Sequence, residues 1–396
     1  MKKIVHIMIC AWYKEGFSYQ ENILPLKHQE LGLDVHIITY NQGGEASYTA
    51  VGNPPITYTN SNGIPVHILL KRSNVFLDKI IPQLFMLQTC GLYEKLEELQ
   101  PDIIFVHGIP GLDHLLVTKY VKNHPHVRLY ADNHADYYNT PFNNLYGTIR
   151  HKILGRYIAR KMALRGRMLW GVSPWRVHSL QHIYGVPAHK VQLLVMGGDE
   201  KKILWNKKDE IRTVIRKKYN IPHDAFLIIT GGKIDKAKNI HTLTQVVKKL
   251  QHLNIYLLVF GRFEADMNPY IDCFHGNNIV VTGWIESEKA YDLFLASDLA
   301  VFPGTHSVLW EQSCASGLPG IFKKWDNGFD HIDIGGNCIL LDNVSEDSLF
   351  RAILELHNTD GYKHMKHIAE TIAREKFSYM SIAKRAIEYS TYEGKQ

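Results

Sequence analysis

Four side chains have types and settings suited to chemistry on a phosphorylated ligand: Lys233, Lys238, Glu311 and His134. Lys233 and Lys238 lie in Gly231-Gly232-Lys233-Ile234-Asp235-Lys236-Ala237-Lys238-Asn239, directly after the apolar run Phe226–Thr230. Two lysines bracketing a strand–helix turn can neutralise a diphosphate leaving group, although a Lys-rich loop is usually just solvated surface. Glu311 follows Leu299–Phe302, Pro303-Gly304 and Thr305-His306-Ser307, so an apolar strand is delivered through a short turn into an apolar-faced helix. Unpaired amide N–H groups at such a helix start suit a phosphate. Ser307 is the expected N-cap, and Glu311, about one turn in, is placed to accept from a ribose hydroxyl. A plain strand–helix connection with a surface Glu accounts for the same stretch. His134 follows strand Val127–Ala131 and stands between Asp132 and Asp136, a setting that poises an imidazole, although a lone His at a strand end is more often structural.

These positions need parallel strands whose carboxyl ends share one edge. The chain opens with strand Lys3–Cys10, the loop Trp12–Ser18, a helix over Tyr19–Leu31 and strand Asp34–Tyr40. This βαβ opening puts its first loop, with Gly16 permitting close backbone approach, at the edge where ligands bind. Asn41–Asn62 reads as an irregular excursion or edge hairpin before strand Val66–Lys71. A helix over Leu77–Leu99 and strands Ile103–Val106, Trp170–Ser173 and Val191–Val195 complete a first series. Met196-Gly197-Gly198-Asp199 reads as a hinge, with glycines that let backbone turn and a ligand approach. Phe226–Thr230, Tyr256–Phe260, Ile279–Thr282 and Leu299–Phe302, with a helix over Tyr291–Ala296, form a second series. The alternation predicts an α/β chain of two doubly wound parallel sheets, and 396 residues suffice for two cores.

At 45% hydrophobic and 21% charged residues the composition is that of a globular protein. Cys10, Cys90, Cys273, Cys314 and Cys338 are widely spaced without a Cys-x-x-Cys pair, which predicts reduced thiols in the cytoplasm rather than a disulfide framework or zinc site. Ile4–Tyr13 is short, contains His6 and lacks a small-residue cleavage pattern, so it reads as a core strand rather than a leader. Charge is uneven. No Asp or Glu lies between Asp136 and Asp199, whereas Arg150, Lys152, Arg156, Arg160, Lys161, Arg165, Arg167, Arg176 and Lys190 do. Within Phe142–Met168 apolar residues recur at helical spacing, so residues 149–167 form a basic amphipathic helix that either seeks an anionic membrane surface or packs on the core with a basic outer face. No nucleic-acid recognition module accompanies the charge.

Phe302-Pro303, Glu311, Ala315-Ser316-Gly317-Leu318-Pro319, Lys238, Val172-Ser173 and Tyr184-Gly185-Val186-Pro187 together resemble the GT-B glycosyltransferases, specifically the family 4 group of retaining, nucleotide-sugar-dependent enzymes. The likeness covers nearly the whole chain. It implies two Rossmann-like domains facing across a cleft: residues 1–198 on the acceptor side, 199–376 binding the nucleotide sugar, and a helix in 377–396 crossing back. Lys233 and Lys238 then meet the donor diphosphate, Lys233 standing where the family has Arg; Glu311 holds the ribose; and His134 supports the sugar near the reacting carbon. Further contacts fall on Gly16, Phe17, Asp136, Gly198, Gly232, Gly261, Arg262, Trp284, Ile285, Thr305, His306, Ser307 and Val308. One departure is plain: eight residues upstream of Glu311, where the family has a paired Glu, stands Pro303, and Thr305-His306-Ser307 replaces the usual loop.

The resemblance implies a retaining, metal-independent transferase, in keeping with the absence of an Asp-x-Asp pair, that needs no cofactor. It would move a sugar from a uridine-type nucleotide donor to a glycan or lipid-linked acceptor in bacterial surface polysaccharide or glycoconjugate assembly, in the cytoplasm or on the inner membrane face. A catalytically silent GT-B subunit that binds sugar nucleotide or glycan and supports a partner enzyme is the alternative, and a sugar-nucleotide epimerase is a further one.

Overall fold

Near-continuous apolar runs build two sheets covered on both faces, as parallel strands require. A computed structural model describes residues 1–10, 13–15, 19–40, 56–70, 89–137, 139–140, 142–325 and 330–387. The chain divides into two compact units, Met1–Val195 with the segment from Ala383, and Met196–Ile382. Gly16 and Phe17 lie outside the described residues, as does much of the segment expected as helix Leu77–Leu99, of which Leu92–Leu99 is described and helical.

The first unit's strands are β1 Lys3–Met8, β2 Asp34–Tyr40, β3 Ile56–Thr59, β4 Pro65–Leu69, β5 Ile103–His107, β6 Arg128–Asn133, β7 Met168–Gly171 and β8 Val191–Leu193. They form one sheet in the order β3-β4-β2-β1-β5-β6-β7-β8. Among the described strands only β3 runs antiparallel, hairpinned onto β4 at the edge. Strand order reverses between β1 and β5, which pair from Ile4↔Ile103 to Ile7↔Val106. Val5, Ile7, Ile104, Val106, Ala131 and Leu169 are buried in a common core, each branched aliphatic contributing about 1.5–3 kcal/mol by burial. The basic segment is a short helical turn at Leu145–Gly147, a π-helix at Thr148–Gly155 and an α-helix at Arg156–Arg165.

In the second unit β9 Phe226–Ile234, β10 Ile255–Phe263, β11 Ile279–Gly283, β12 Leu299–Phe302, β13 Gly320–Lys323 and β14 Cys338–Leu341 form a parallel sheet in the order β11-β10-β9-β12-β13-β14. Order reverses between β9 and β12, which pair only at Leu299↔Ile228 and Ala300↔Ile229. Such a switch point opens a crevice at the strands' carboxyl ends. β9 and β10 run past the expected Thr230 and Phe260 because their glycines pair with each other: Gly261 opposes Gly232, at φ +125° and +103°, and a Cβ on Gly261 would stand 1.8 Å from the Gly232 carbonyl. Gly198 is bridged to Ser378, its N–H bonding Phe377 O at 2.9 Å and its carbonyl accepting from Tyr379 N at 3.0 Å. No helix among the described residues is long and apolar enough to cross a membrane.

Candidate functional site

At the β9/β12 switch point two loops are zipped together. Thr305 N donates to Ala237 O at 3.1 Å, and Asn239 Nδ2 to Pro303 O at 3.2 Å. Gly304 has no room for a side chain, since a Cβ would lie 2.3 Å from Lys238 Cα. Lys238 ends a 3₁₀ turn capped by Asp235, and its Nζ donates to Thr305 O at 2.6 Å and His306 O at 3.3 Å. Burial pushes its pKa down to about 8, with nearby Lys233 adding and Asp235 opposing. An ammonium has three donors, so this cation is aimed by the protein and keeps one proton for a ligand.

Glu311 is the second fixed charge. It lies in the short helix Leu309–Ala315 and is 0% exposed, which removes the reading of a surface Glu. His306 Nε2 contacts Oε1 at 2.8 Å and Oε2 at 3.1 Å, and His331 Nε2 contacts Oε1 at 3.2 Å. Burial raises the carboxyl pKa, but His306 and His331 outweigh it and hold the group at about 2. Ser307 is not the N-cap: the helix starts two residues later with Val308 at the cap and no side-chain bond there, and Ser307 Oγ is buried without a hydrogen-bond partner. His331, from the turn Asp330–Ile332, was not expected; no spacing in the chain ties it to Glu311.

Other expected residues line the same sheet edge with less engagement. Lys233, on β9, is 64% exposed and 3.9 Å from Asp235. Arg262 pairs with it in register on β10, and Trp284, 73% exposed, follows β11 with the half-buried Ile285 beside it. Gly232 and Gly261 act between strands, as described above. At Gly198, where a ligand was expected to approach closely, the chain's own Phe377 accepts from the backbone N–H.

In the first unit His107 and Asp132 oppose each other in register on β5 and β6, and His107 Nδ1 lies 2.8 Å from Asp132 Oδ2. Asp132 Oδ1 accepts from Gly108 N at 2.9 Å and contacts His134 Nε2 at 3.0 Å. His134 is 29% exposed and has Glu21 at 3.7 Å as its second carboxylate neighbour. Asp136 does not fill that place. It turns to Arg176 Nε at 3.1 Å, on the helix Pro174–His182, and accepts from Asn139 N of its own loop, so its charge is spent on the protein itself. Burial lowers the pKa of His134, yet Asp132 and Glu21 together raise it above the usual imidazole value. His107, Asp132 and His134 offer atoms within 4.8 Å of one another that could face a cation, but the 2.8 and 3.0 Å separations are hydrogen bonds that already occupy these nitrogens. Behind His107 lie His6 and His28, neither foreseen as part of a site.

Residues 211–374 match the family described as glycosyl transferases group 1. This stretch belongs to that family. It contains Lys233, Lys238 and Glu311 and makes the chain a glycosyltransferase by reaction class. No curated protein matches the sequence. Among solved structures, a glycosyltransferase from Rickettsia africae is similar over 100% of both chains, with a TM-score of 0.68 and 16% identity. HepE from Anabaena, in complex with UDP, is similar over 99% of this chain and 100% of its own, with a TM-score of 0.64 and 13% identity. WaaG, a glycosyltransferase involved in lipopolysaccharide biosynthesis, is similar over 97% and 99%, at 0.55 and 13%. The fold class is therefore α/β and GT-B, carried over the whole chain.

Outside the group 1 domain, the basic helix shows two faces. Ile158, Ala159, Met162 and Ala163 pack into the first unit's core. Ile153, Tyr157 and Leu164 are more than half exposed among Lys152, Arg156, Arg160 and Lys161. With Pro187, His189 and Lys190 these line an open groove of about 770 Å³.

Proposed function

We propose that this glycosyltransferase moves a sugar, with retention of configuration, from a nucleotide-diphosphate sugar of uridine type to a hydroxyl of a glycan or lipid-linked acceptor. The observation that carries the reading is the pairing of an aimed ammonium, Lys238, with the buried ionised Glu311 at the β9/β12 switch point. One cation for the diphosphate and one anion for the ribose diol is the charge pattern of a nucleoside diphosphate. Glu311 offers about four lone-pair sites, and its two imidazoles leave room on Oε2 for a hydroxyl donor. HepE's complex with UDP supports the choice of base.

In the reaction the anomeric carbon's bond to the leaving phosphate oxygen breaks as the acceptor oxygen bonds to the same face, and the leaving phosphate takes the acceptor's proton. Lys238 and the more exposed Lys233 stabilise charge growing on that phosphate, an effect of about 3 kcal/mol per fixed donor. His134 supports the sugar as it becomes cation-like. The chemistry asks for no metal or cofactor. The basic groove with its exposed Ile153, Tyr157 and Leu164 supports an acceptor at an anionic lipid surface, on the cytoplasmic face of a bacterial membrane and in surface polysaccharide or glycoconjugate assembly.

The test is thermal stabilisation by nucleoside diphosphates and sugar nucleotides, with Lys238→Ala and Glu311→Ala alongside. Ligand that binds only the folded chain raises the melting temperature, by about 2.7 kcal/mol of stability at a hundredfold excess over Kd. One uridine ligand should shift the wild type and shift both variants less. No shift from any nucleotide would remove the reading. A shift without nucleoside diphosphate release on any acceptor would favour a silent binding subunit.

A further inference from the structure

Behind His134 the first unit holds an unbroken line of buried hydrogen bonds. His28 Nε2 contacts the Ala383 carbonyl at 3.0 Å, and His28 Nδ1 contacts His6 Nε2 at 3.0 Å. His6 Nδ1 contacts His107 Nε2 at 2.9 Å, and His107 Nδ1 contacts Asp132 Oδ2 at 2.8 Å. Successive rings are inclined by 25° and 16° with centroids 5.1 and 5.2 Å apart, an arrangement in which an N–H of one ring can meet the lone pair of the next. All four side chains are 0% exposed, so water cannot make up a missing partner.

The protons in this line can be counted. Four contacts need four protons. A carbonyl and an ionised carboxylate at the two ends supply none, and each neutral imidazole supplies one. Three neutral histidines therefore leave one contact as two facing lone pairs. We propose that the line holds a fourth proton as a buried imidazolium at His107, paired with the Asp132 carboxylate, and that this ion pair is the positioning element that sets the charge state of His134.

The placement on His107 follows by elimination. Burial presses His6 well below the usual imidazole value and His28 to about 4, so both stay neutral. Asp132 is the anionic partner on the line: its Oδ1 accepts from Gly108 N and faces His134, and its Oδ2 lies 2.8 Å from His107 Nδ1, so a fourth proton is best placed on the imidazole that faces it. Among the described residues, the charged and titratable groups named around the line are His6 on β1, Glu21 and His28 on the helix Gln20–Glu30, Asp132 on β6, His134 beyond it and Arg176 on the helix Pro174–His182. Lys27 on the first of these helices turns to Glu30 at 3.4 Å instead.

The same sheet contains a control. His36 lies 3.4 Å from Asp34, His36 Nδ1 contacts His67 Nε2 at 3.0 Å, and His67 Nδ1 contacts Thr57 Oγ1 at 3.0 Å. That line has three contacts and three protons, because the Thr57 hydroxyl donates. It closes with both imidazoles neutral.

Proton-coupled nitrogen NMR of the full chain with ¹⁵N-labelled histidine tests the count at pH 7.5. The expected spectrum shows His107 with both ring nitrogens protonated and His6, His28, His36 and His67 neutral. His28→Leu touches neither Asp132 nor His134, yet it removes the carbonyl end; two contacts then need two protons, and His107 should become neutral. With that cation gone, His134 should titrate about one pH unit higher. A neutral His107 in the wild type, or an imidazolium that survives His28→Leu, overturns the proposal. Should His28→Leu not fold, His6→Phe cuts the same line, and the wild-type spectrum decides by itself. The kinetic consequence, an upward shift of about one unit in the pH profile of kcat/KM, rests on the proposed role of His134. The NMR reading does not, so failure of one is distinguishable from failure of the other.

Discussion

Each unit buries one carboxylate between two histidines at a sheet's carboxyl edge: Asp132 between His107 and His134, Glu311 between His306 and His331. Both acids are fully buried and ionised. They differ in what stands behind them. Asp132 and His107 are opposed in register on adjacent strands, with a backbone N–H on the second oxygen and two more imidazoles in line. Glu311 sits on a short helix and receives its histidines from a loop and a three-residue turn. A carboxylate fixed by a sheet can hold a charge state for a neighbour. One clamped by loops can exchange a contact for a ligand's hydroxyl.

The largest expected effect separates them on stability. Asp132→Asn removes the anion facing a buried cation, a change that costs about 3–5 kcal/mol. Glu311→Gln keeps an amide oxygen to accept from the imidazoles, and should cost about 1.5–3 kcal/mol while abolishing stabilisation by the nucleotide. Urea unfolding of both variants measures this. A larger stability loss at Glu311 would reverse the comparison.

How much of this the sequence discloses follows the same division. Strands were legible from apolar runs, Leu299–Phe302 and Asp34–Tyr40 to the residue, and with them the edge that gathers Lys238 and Glu311. Glycine makes two strands read too short along the chain, Gly231-Gly232 in β9 and Gly261 in β10, because a strand glycine reads as a break until its partner across the sheet is known. Ser307 had the right chemistry for a cap and the wrong place, since the helix begins beyond it. The histidine line was invisible: His6, His28 and His107 come from three elements with no common spacing, and His6 reads as an ordinary blemish in an apolar strand. His331 was hidden for the same reason. Contacts made across a fold leave no period along the chain.

Acid should sharpen the contrast. A group whose folded pKa lies below its unfolded value leaves the unfolded chain with more protons bound between the two, so stability rises with pH there and is lost on acidification. His28, moved from 6.5 to about 4, places that loss in the first unit, worth about 3 kcal/mol. His6 acts in the same direction. Glu311, moved from 4.5 to about 2, places a comparable loss in the second unit at lower pH. His134 has the opposite sign: its raised pKa contributes below 6.5 and that contribution fades as pH climbs through the folded value. Hydrogen exchange followed from pH 7 to 4.5 should therefore show β1 and β5 losing protection while β12 and Leu309–Ala315 keep theirs. Simultaneous loss in both sets would mean that the two carboxylates are not held differently.

The smallest effect asks whether the clamps are built from equivalent histidines. His107→Asn breaks a line of four contacts and leaves both Asp132 and His6 short of a partner, at a cost of about 3 kcal/mol. His331→Asn removes the longer of the two imidazole contacts to Glu311, while His306 still reaches both oxygens. About 1 kcal/mol of stability should go with it, together with a rise in the Glu311 pKa, because one of the two groups that oppose its burial is gone. Nucleotide binding should weaken severalfold, with its acid limb moved upward in pH. Equal stability losses at His107 and His331 would show that the line behind Asp132 adds nothing to its clamp, and the two carboxylates would then be one device used twice.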